Sequence, residues 1–397
     1  MDYINTNTVQ NSDITDDSVA EVLALKNTLL NSSTPLELKN EALTNIERLE
    51  RIARKGVYSA EFENVSKYIH WITRIPWNTV SKDNFDLKHA KELMDSTHYG
   101  MDSVKNVILD YIASMQLEST QGQNMVVPVS SQIQSLGTMD ARPLTNVQTG
   151  GGKSIKAPVF LFVGLQGVGK TSIAQSIADA MGRKFIRISL GAIGDVRTLR
   201  GTPRYAIDPE PGQIVKALVR SETMNPVILL DEIEKASGNN GLLNDVMAAL
   251  LEILDPEQNN AFLDHYIDYP VDLSKAFFIC TANNLGGLSA ALLDRVEVVR
   301  FTSYSDEEKT VIAQKYILPR VLKGLNLTEQ FIRIDENVWP MIIRPVGFDA
   351  GIRQLERNIA GIVRAAARKI VEGVSIPIVI TVENINQYLP PDQGPLS

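Results

Sequence analysis

Eight residues, Gly164-Leu165-Gln166-Gly167-Val168-Gly169-Lys170-Thr171, restrict the fold of this 397-residue chain more than any other stretch. They match the phosphate-binding loop pattern GxxxxGK[ST]. Such a loop needs a strand running in and a helix running out. Its glycines let backbone N–H groups close round phosphate oxygens, and the helix adds its positive end. Both neighbours can be read here: Val159 to Val163 is an unbroken apolar run, and Ile173, Ile177, Ala180 and Met181 recur at helical spacing. Lys170 is placed to reach the β- and γ-phosphates and Thr171 to hold Mg²⁺, so ATP with Mg²⁺ is the expected ligand. A second stretch, Gly150-Gly151-Gly152-Lys153-Ser154, has Val147 in place of the first glycine and no apolar run before it. It reads as linker.

Four further apolar runs follow the loop: Phe185 to Ile188, Val227 to Leu230, Phe277 to Cys280 and Val296 to Phe301. Most are apolar nearly throughout, as strands covered on both faces are, and helical segments separate them. The expected fold is α/β, a parallel sheet flanked by helices. Residues 1–18 are polar and acidic and read as a disordered tail. Residues 19–117 read as a helical N-terminal segment, with Thr34-Pro35-Leu36-Glu37 as a capped helix start and a helix from Glu61 to Arg74 ending before Pro76. Residues 118–157 have no sustained period and read as a flexible linker or insertion. The ATP-binding domain is then 158–304, a smaller and mainly helical domain 305–389, and a tail 390–397.

The run Val227 to Leu230 ends in Asp231-Glu232. Downstream of a phosphate loop, Asp231 would hold Mg²⁺ through its water shell and Glu232 would polarise the attacking water. Three further residues gain meaning only in series. Asn283, just past the fourth strand, is either a turn residue or a group that positions water. Arg295 is a salt-bridged surface arginine or one that reaches a neighbouring subunit's γ-phosphate. Arg353, in the smaller domain, is an ion-pair residue or a phosphate sensor.

Composition closes off other classes. Lys and Arg total 39 against 47 Asp and Glu, a net charge of -8, so bulk attraction to nucleic acid or an acidic membrane is not expected. The single cysteine, Cys280, excludes a disulfide within the chain and fits a cytoplasmic location. The four histidines are scattered, which argues against zinc. No apolar run approaches the ~20 residues of a membrane span.

Taken together, these residues resemble the AAA+ module of Lon-type proteases. The resemblance is carried by Leu230-Asp231-Glu232-Ile233-Glu234-Lys235, by Leu250-Leu251-Glu252-Ile253-Leu254-Asp255-Pro256, by Leu292-Leu293-Asp294-Arg295-Val296-Glu297 and by Ala350-Gly351-Ile352-Arg353-Gln354-Leu355. Upstream, Tyr68-Ile69-His70-Trp71 and His98-Tyr99-Gly100 are similar to the helical segment before the Lon ATPase. The likeness spans roughly 35–117 and 158–389. It implies sensor 1 at Asn283, an arginine finger at Arg295, sensor 2 at Arg353, a small lid domain, and a homo-oligomeric ring, usually hexameric. It also implies a motor that threads protein substrates, with a separate protease as a candidate partner.

The resemblance has departures. The large substrate-gathering N-domain and the Ser/Lys protease domain of that family are not found between Met1 and Ser397, so peptidase activity is not expected of this chain alone. In the pore loop Ala206 occupies the family's aromatic position, leaving Tyr205 and Ile207 as the candidate grip. Leu165-Gln166 replaces the usual Pro-Pro. The expected function is therefore an ATP-driven unfoldase, translocase or remodeller of proteins. The rivals are a nucleotide-gated adaptor or scaffold without threading, and a nucleic-acid-dependent ATPase, which the acidic balance disfavours.

Overall fold

The computed structural model describes residues 7–53, 60–121, 159–236, 241–344 and 351–390. Five helices lead: α1 (Asn7–Asn31), α2 (Leu36–Ala53), α3 (Ala60–Arg74), α4 (Leu87–Thr97) and α5 (Asp102–Gln121). The central part follows as β1 (Val159–Val163), α6 (Lys170–Ala180), β2 (Phe185–Ser189), α7 (Arg197–Arg200), α8 (Gln213–Ser221), β3 (Val227–Asp231) and α9 (Gly241–Leu254). A small hairpin, β4 (Phe262–Leu263) with β5 (Pro270–Val271), precedes β6 (Phe277–Ala282), α10 (Ala290–Leu293) and β7 (Val296–Arg300). The last part holds α11 (Asp306–Ile312), α12 (Leu318–Gly324), β8 (Ile332–Ile334), α13 (Trp339–Ile343), α14 (Arg353–Val371) and β9 (Ile378–Ile380).

The five expected strands form one sheet of order β2-β3-β6-β1-β7, with every pairing parallel. Side chains alternate across it. Val159, Leu161, Val163, Ile228 and Leu230 enter one core, while Phe160, Phe162, Val227 and Leu229 enter the other. Two buried faces explain why these strands read as unbroken apolar runs rather than alternating ones. Because the strands are parallel, their carboxyl ends lie along one edge. The phosphate loop after β1, Asp231 ending β3 and the turn after β6 therefore meet there, in the crevice where open α/β sheets bind ligands.

The N-terminal helices do not form a core of their own among the described residues. Val22, Leu29, Leu38 and Ile72 from α1–α3 join the first face, and Met94, Val104 and Ile108 from α4 and α5 join the second. Buried Arg183, following α6, ties this region down through a bidentate pair with Asp83 at 2.7 and 2.8 Å. The Thr34 hydroxyl, expected to cap α2, donates to Ile72 O at 3.3 Å and links α2's entry to α3. Two further differences concern chain expected to lack structure. Residues 7–18 are helical, the first turns of α1, because no Gly or Pro interrupts Asn7–Asn31 and extending a nucleated helix is cheap. Likewise α5 continues to Gln121, past the expected boundary at 118. The remainder of the expected linker, with Gly150–Ser154, lies outside the described residues, as do residues 1–6 and 391–397.

The C-terminal part has its own core, built round Trp339, Ile359, Ile362 and Val363. It is mainly helical as expected, but β8 and β9 form a short parallel pair with Ile332 opposite Ile378. Among the described residues no helix is long and apolar enough to cross a membrane.

Candidate nucleotide-binding site

A cleft of about 210 Å³ opens at the carboxyl edge of the sheet. Its walls come from the phosphate loop, from the ends of β3 and β6, and from α12 and the start of α14. Of the expected residues, Gln166, Gly167, Gly169, Lys170, Thr171, Asp231, Glu232, Asn283 and Arg353 line it. Gly164, Leu165 and Val168 shape the loop without lining the cleft: Leu165 is exposed, and Val168 is buried with its carbonyl accepting from Tyr304 Oη at 3.1 Å.

Gly169 caps α6 at φ +93°, a left-handed conformation that a side chain would strain, and it turns the first amides of an 11-residue helix toward the cleft. Lys170 is buried. Its Nζ donates to the carbonyls of Gly164 and Leu165 (3.0 Å to the latter) and to Asn283 Oδ1 at 3.2 Å. Burial pushes its pKa below the usual lysine value, and the nearby Glu234 and Asp231 carboxylates oppose that shift. The ammonium thus bridges β1's loop and β6's turn.

The acidic pair is held by residues that no motif singles out. Leu230 lies opposite Cys280, so Asp231 and Thr281 fall side by side on adjacent strands. The fully buried Thr281 donates to Asp231 Oδ1, and its oxygen accepts from Glu232 N at 3.0 Å. From the edge strand β2, Arg187 donates through Nε to Asp231 Oδ2 at 2.8 Å. Glu232 has φ +62°, uncommon for a residue with a side chain and costing on the order of 1 kcal/mol or more. Its carboxylate meets Lys235 Nζ at 2.7 Å. Asn283 is fixed from the same turn, with Nδ2 donating to Glu234 Oε1 at 2.7 Å. Glu234 and Lys235 stood within a motif but carried no expected role. The signal that finds Thr281 and Arg187 is strand register, which is not local in sequence.

The far wall belongs to the C-terminal part. Arg353 Nη1 lies 3.5 Å from Gln166 Oε1, and Ile352 N donates to Gly167 O at 3.1 Å. Arg320 of α12 and Glu356 of α14 pair at 2.8 Å on the same wall, neither expected from sequence. Contact here is close: a Cβ on Gly351 would lie 2.4 Å from Gln166 O and 2.8 Å from Gly167 Cα. Gly351→Ala must push this wall off the loop, and overpacking of that kind costs about 1–3 kcal/mol. If seating of the wall contributes to ligand binding, ATP affinity should fall by about 5- to 150-fold while the fold persists. Titration with a fluorescent ATP analogue checks this, and an unchanged affinity would remove the contact from the binding site.

On the other flank, α4 packs on α6. His98 Nε2 and Ser172 Oγ are 2.9 Å apart. Burial, with Lys105 nearby, lowers His98 to about 4, so the ring is neutral near pH 7.

Arg295 is not in this cleft. It precedes β7, so the five residues of that parallel strand, roughly 17 Å, separate it from the carboxyl edge. Its guanidinium donates to Ala291 O at 2.8 Å and pairs with Asp255 at 3.3 Å. Tyr205 and Ile207 do not line the cleft either; they lie on the loop between α7 and α8 and are 92% and 93% exposed. Among the described residues no cluster of three or more His, Cys, Asp or Glu side chains is arranged to hold a metal. Thr171 and Asp231 nevertheless present a hydroxyl and a carboxylate to one cleft, hard oxygen donors that suit Mg²⁺ shared with a phosphate chain.

The model for the ATPase family associated with various cellular activities (AAA) matches residues 160–304. The model for the Lon protease AAA+ ATPase lid domain matches residues 323–377. Lon protease 2 of Thermus thermophilus is 40% identical over 357 residues, covering 90% of this chain and 41% of that protein. Lon protease of Dictyoglomus thermophilum is 39% identical over 359 residues, with the same coverage of 90% and 41%. Lon protease of Roseiflexus castenholzii is 37% identical over 377 residues, covering 95% and 43%. The chain thus spans about two fifths of the length of these relatives.

Proposed function

This chain belongs to the AAA+ ATPases of Lon type, and from that premise we propose that it works as a ring-forming motor that spends ATP on pulling or remodelling protein substrates. The nucleotide half of this reading is supported by one feature above all. A phosphate loop with its lysine, a strand-end acid pair and a water-positioning amide share one cleft. In the proposed reaction the backbone amides of the loop and Lys170 hold the β- and γ-phosphates. Glu232 orients a water and takes its proton as the water oxygen attacks the γ-phosphorus. The bond to the β,γ-bridging oxygen breaks, leaving ADP and phosphate. Asn283 holds the water's far side, and Arg353 reads the phosphates from the lid. Thr171 and Asp231 would hold Mg²⁺, whose part is to neutralise phosphate charge.

Arg295 serves the next subunit in this scheme. It lies too far from its own cleft, while a ring brings it to a neighbour's γ-phosphate, and six subunits is the number that Lon-type modules suggest. Protein handling rests on Tyr205 and Ile207, two large apolar side chains on one loop whose near-complete exposure leaves them accessible to a partner protein, which supports this reading. The test is a stable protein carrying an unstructured tail. A motor unfolds it only while ATP is hydrolysed, and Tyr205→Ala slows that unfolding. Turnover without any unfolding would reject the motor and leave a nucleotide-gated scaffold. Pairing with a protease, in this chain or another, would direct the unfolded product to degradation.

A further inference from the structure

The loop that carries Tyr205 and Ile207 is built on firm feet. Buried Asp264 accepts from Gly212 N at 2.8 Å and from Tyr266 N at 2.9 Å, and His265 N donates to Arg200 O at 2.7 Å. At its neck Thr202 N donates to Glu210 O at 3.0 Å, and Glu210 N returns a bond to Thr202 Oγ1 at 2.8 Å. These contacts fix where the loop begins and ends. They do not fix the direction of its tip.

Arg204, next to Tyr205, has a different set of partners. Its guanidinium carbon sits 4.4 Å from the centre of the Tyr68 ring on α3. Its Nη2 lies 3.4 Å from Glu41 on α2 and 3.5 Å from Asp268. Tyr68 is itself immobilised: the ring is buried, Tyr68 Oη donates to Ile267 O at 3.3 Å, and its edge meets the Tyr266 ring at 6.1 Å. A cation held over a buried ring between two carboxylates gives a loop residue a defined seat, whereas either ion pair alone would do little. Arg204 is the residue in this loop whose side chain reaches α2 and α3. Its neighbour Tyr205 is exposed to solvent.

We infer that Arg204 is a positioning residue that fastens the substrate loop to helices α2 and α3, so that the N-terminal helices act as the strut against which Tyr205 and Ile207 push. This inference rests on the reading of that loop as the protein-handling element. It gives the N-terminal helices a mechanical task that the ATP cleft does not require.

The experiment uses the full chain and reads two quantities. The first is stimulation of ATPase activity by a permanently unfolded protein, reduced and carboxymethylated α-lactalbumin. The second is hydrogen exchange of the amides in 203–208. Arg204→Met should raise the probe concentration for half-maximal stimulation about 3- to 30-fold and speed loop exchange by a similar factor. Basal ATPase, KM for ATP and exchange in the phosphate loop should stay at the parent's values. Arg204→Lys, which keeps a cation over the ring, should recover part of the effect. Tyr68→Phe should behave as the parent, and Tyr68→Leu should match Arg204→Met without adding to it. Unchanged loop exchange and unchanged half-maximal concentration in Arg204→Met would overturn the strut. Should the parent show no stimulation, the protein-handling reading fails; loop exchange still decides whether Arg204 fastens the loop, and an unchanged rate would overturn that as well.

Discussion

Glu232→Gln binds ATP as the parent does and turns it over roughly 10²- to 10⁴-fold more slowly. The amide keeps the volume and one acceptor oxygen of the carboxylate, so its contact with Lys235 at 2.7 Å and the backbone bond to Thr281 are preserved. What it loses is the capacity to draw a proton from water. The left-handed backbone at Glu232 is unaffected by this change, which isolates the chemistry from the strain. Lys170 and the loop amides, proposed to hold the phosphates, line another part of the cleft and are untouched by the substitution, so affinity should be retained. The measurement is steady-state phosphate release beside equilibrium titration with ATP. Turnover equal to the parent's would take Glu232 out of the reaction, whereas loss of ATP binding would mean that the substitution had deformed the cleft.

Arg295→Ala should abolish turnover to a comparable or greater degree, about 10³- to 10⁵-fold, by removing a positive charge that stabilises the transition state from a neighbouring subunit. Local structure survives the change. Asp255, the partner left behind, still accepts from Glu257 N and Gln258 Nε2, both at 2.9 Å, and an ion pair of this exposure contributes at most ~1 kcal/mol. Arg295→Lys should remain poor, because an ammonium does not reproduce the planar fork. The decisive form of the experiment mixes two inactive proteins. In a ring made from Arg295→Ala and Glu232→Gln subunits, some clefts combine an intact Glu232 with an intact Arg295 from next door. Activity should therefore reappear on mixing. Mixtures as inactive as their components, or full activity of Arg295→Ala as a monomer, would refute a finger that acts between subunits.

The catalytic candidates differ in how far they could be read from sequence, and the reason is locality. Lys170, Thr171, Asp231 and Glu232 were legible because each sits in a short pattern that one turn of backbone must satisfy. Asn283 was legible as a residue just past the apolar run Phe277 to Cys280, where a turn residue was an equal reading until the family resemblance implied sensor 1. Thr281, by contrast, looks like any threonine at the end of an apolar run. Its role appears only when Leu230 is found opposite Cys280. Arg187 is an exposed-face residue of an edge strand until β2 pairs with β3. Arg320 is 33 residues before Arg353 in the chain, and only helix packing brings both to one wall. The same holds for fold details: β8 and β9 have three residues each, too few to show a period, and they lie far apart in sequence.

Residues 7–18 teach a related lesson. Their polar composition argues against a core, and that is a statement about burial rather than backbone. Helix α1 extends through them because it is nucleated further on, where Val22 and Leu29 are buried.

By itself the sequence determined the class of fold, the nucleotide-binding family, and the phosphate loop and acid pair that line the cleft, since these depend on local backbone geometry and on strands apolar on both faces. Only the tertiary structure decided which side chains aim the two acids, that the N-terminal helices divide between the two faces of the sheet, and that Arg295 stands a strand's length from its own cleft. Those properties arise from register and from contacts between distant segments, and neither leaves a periodic trace along the chain.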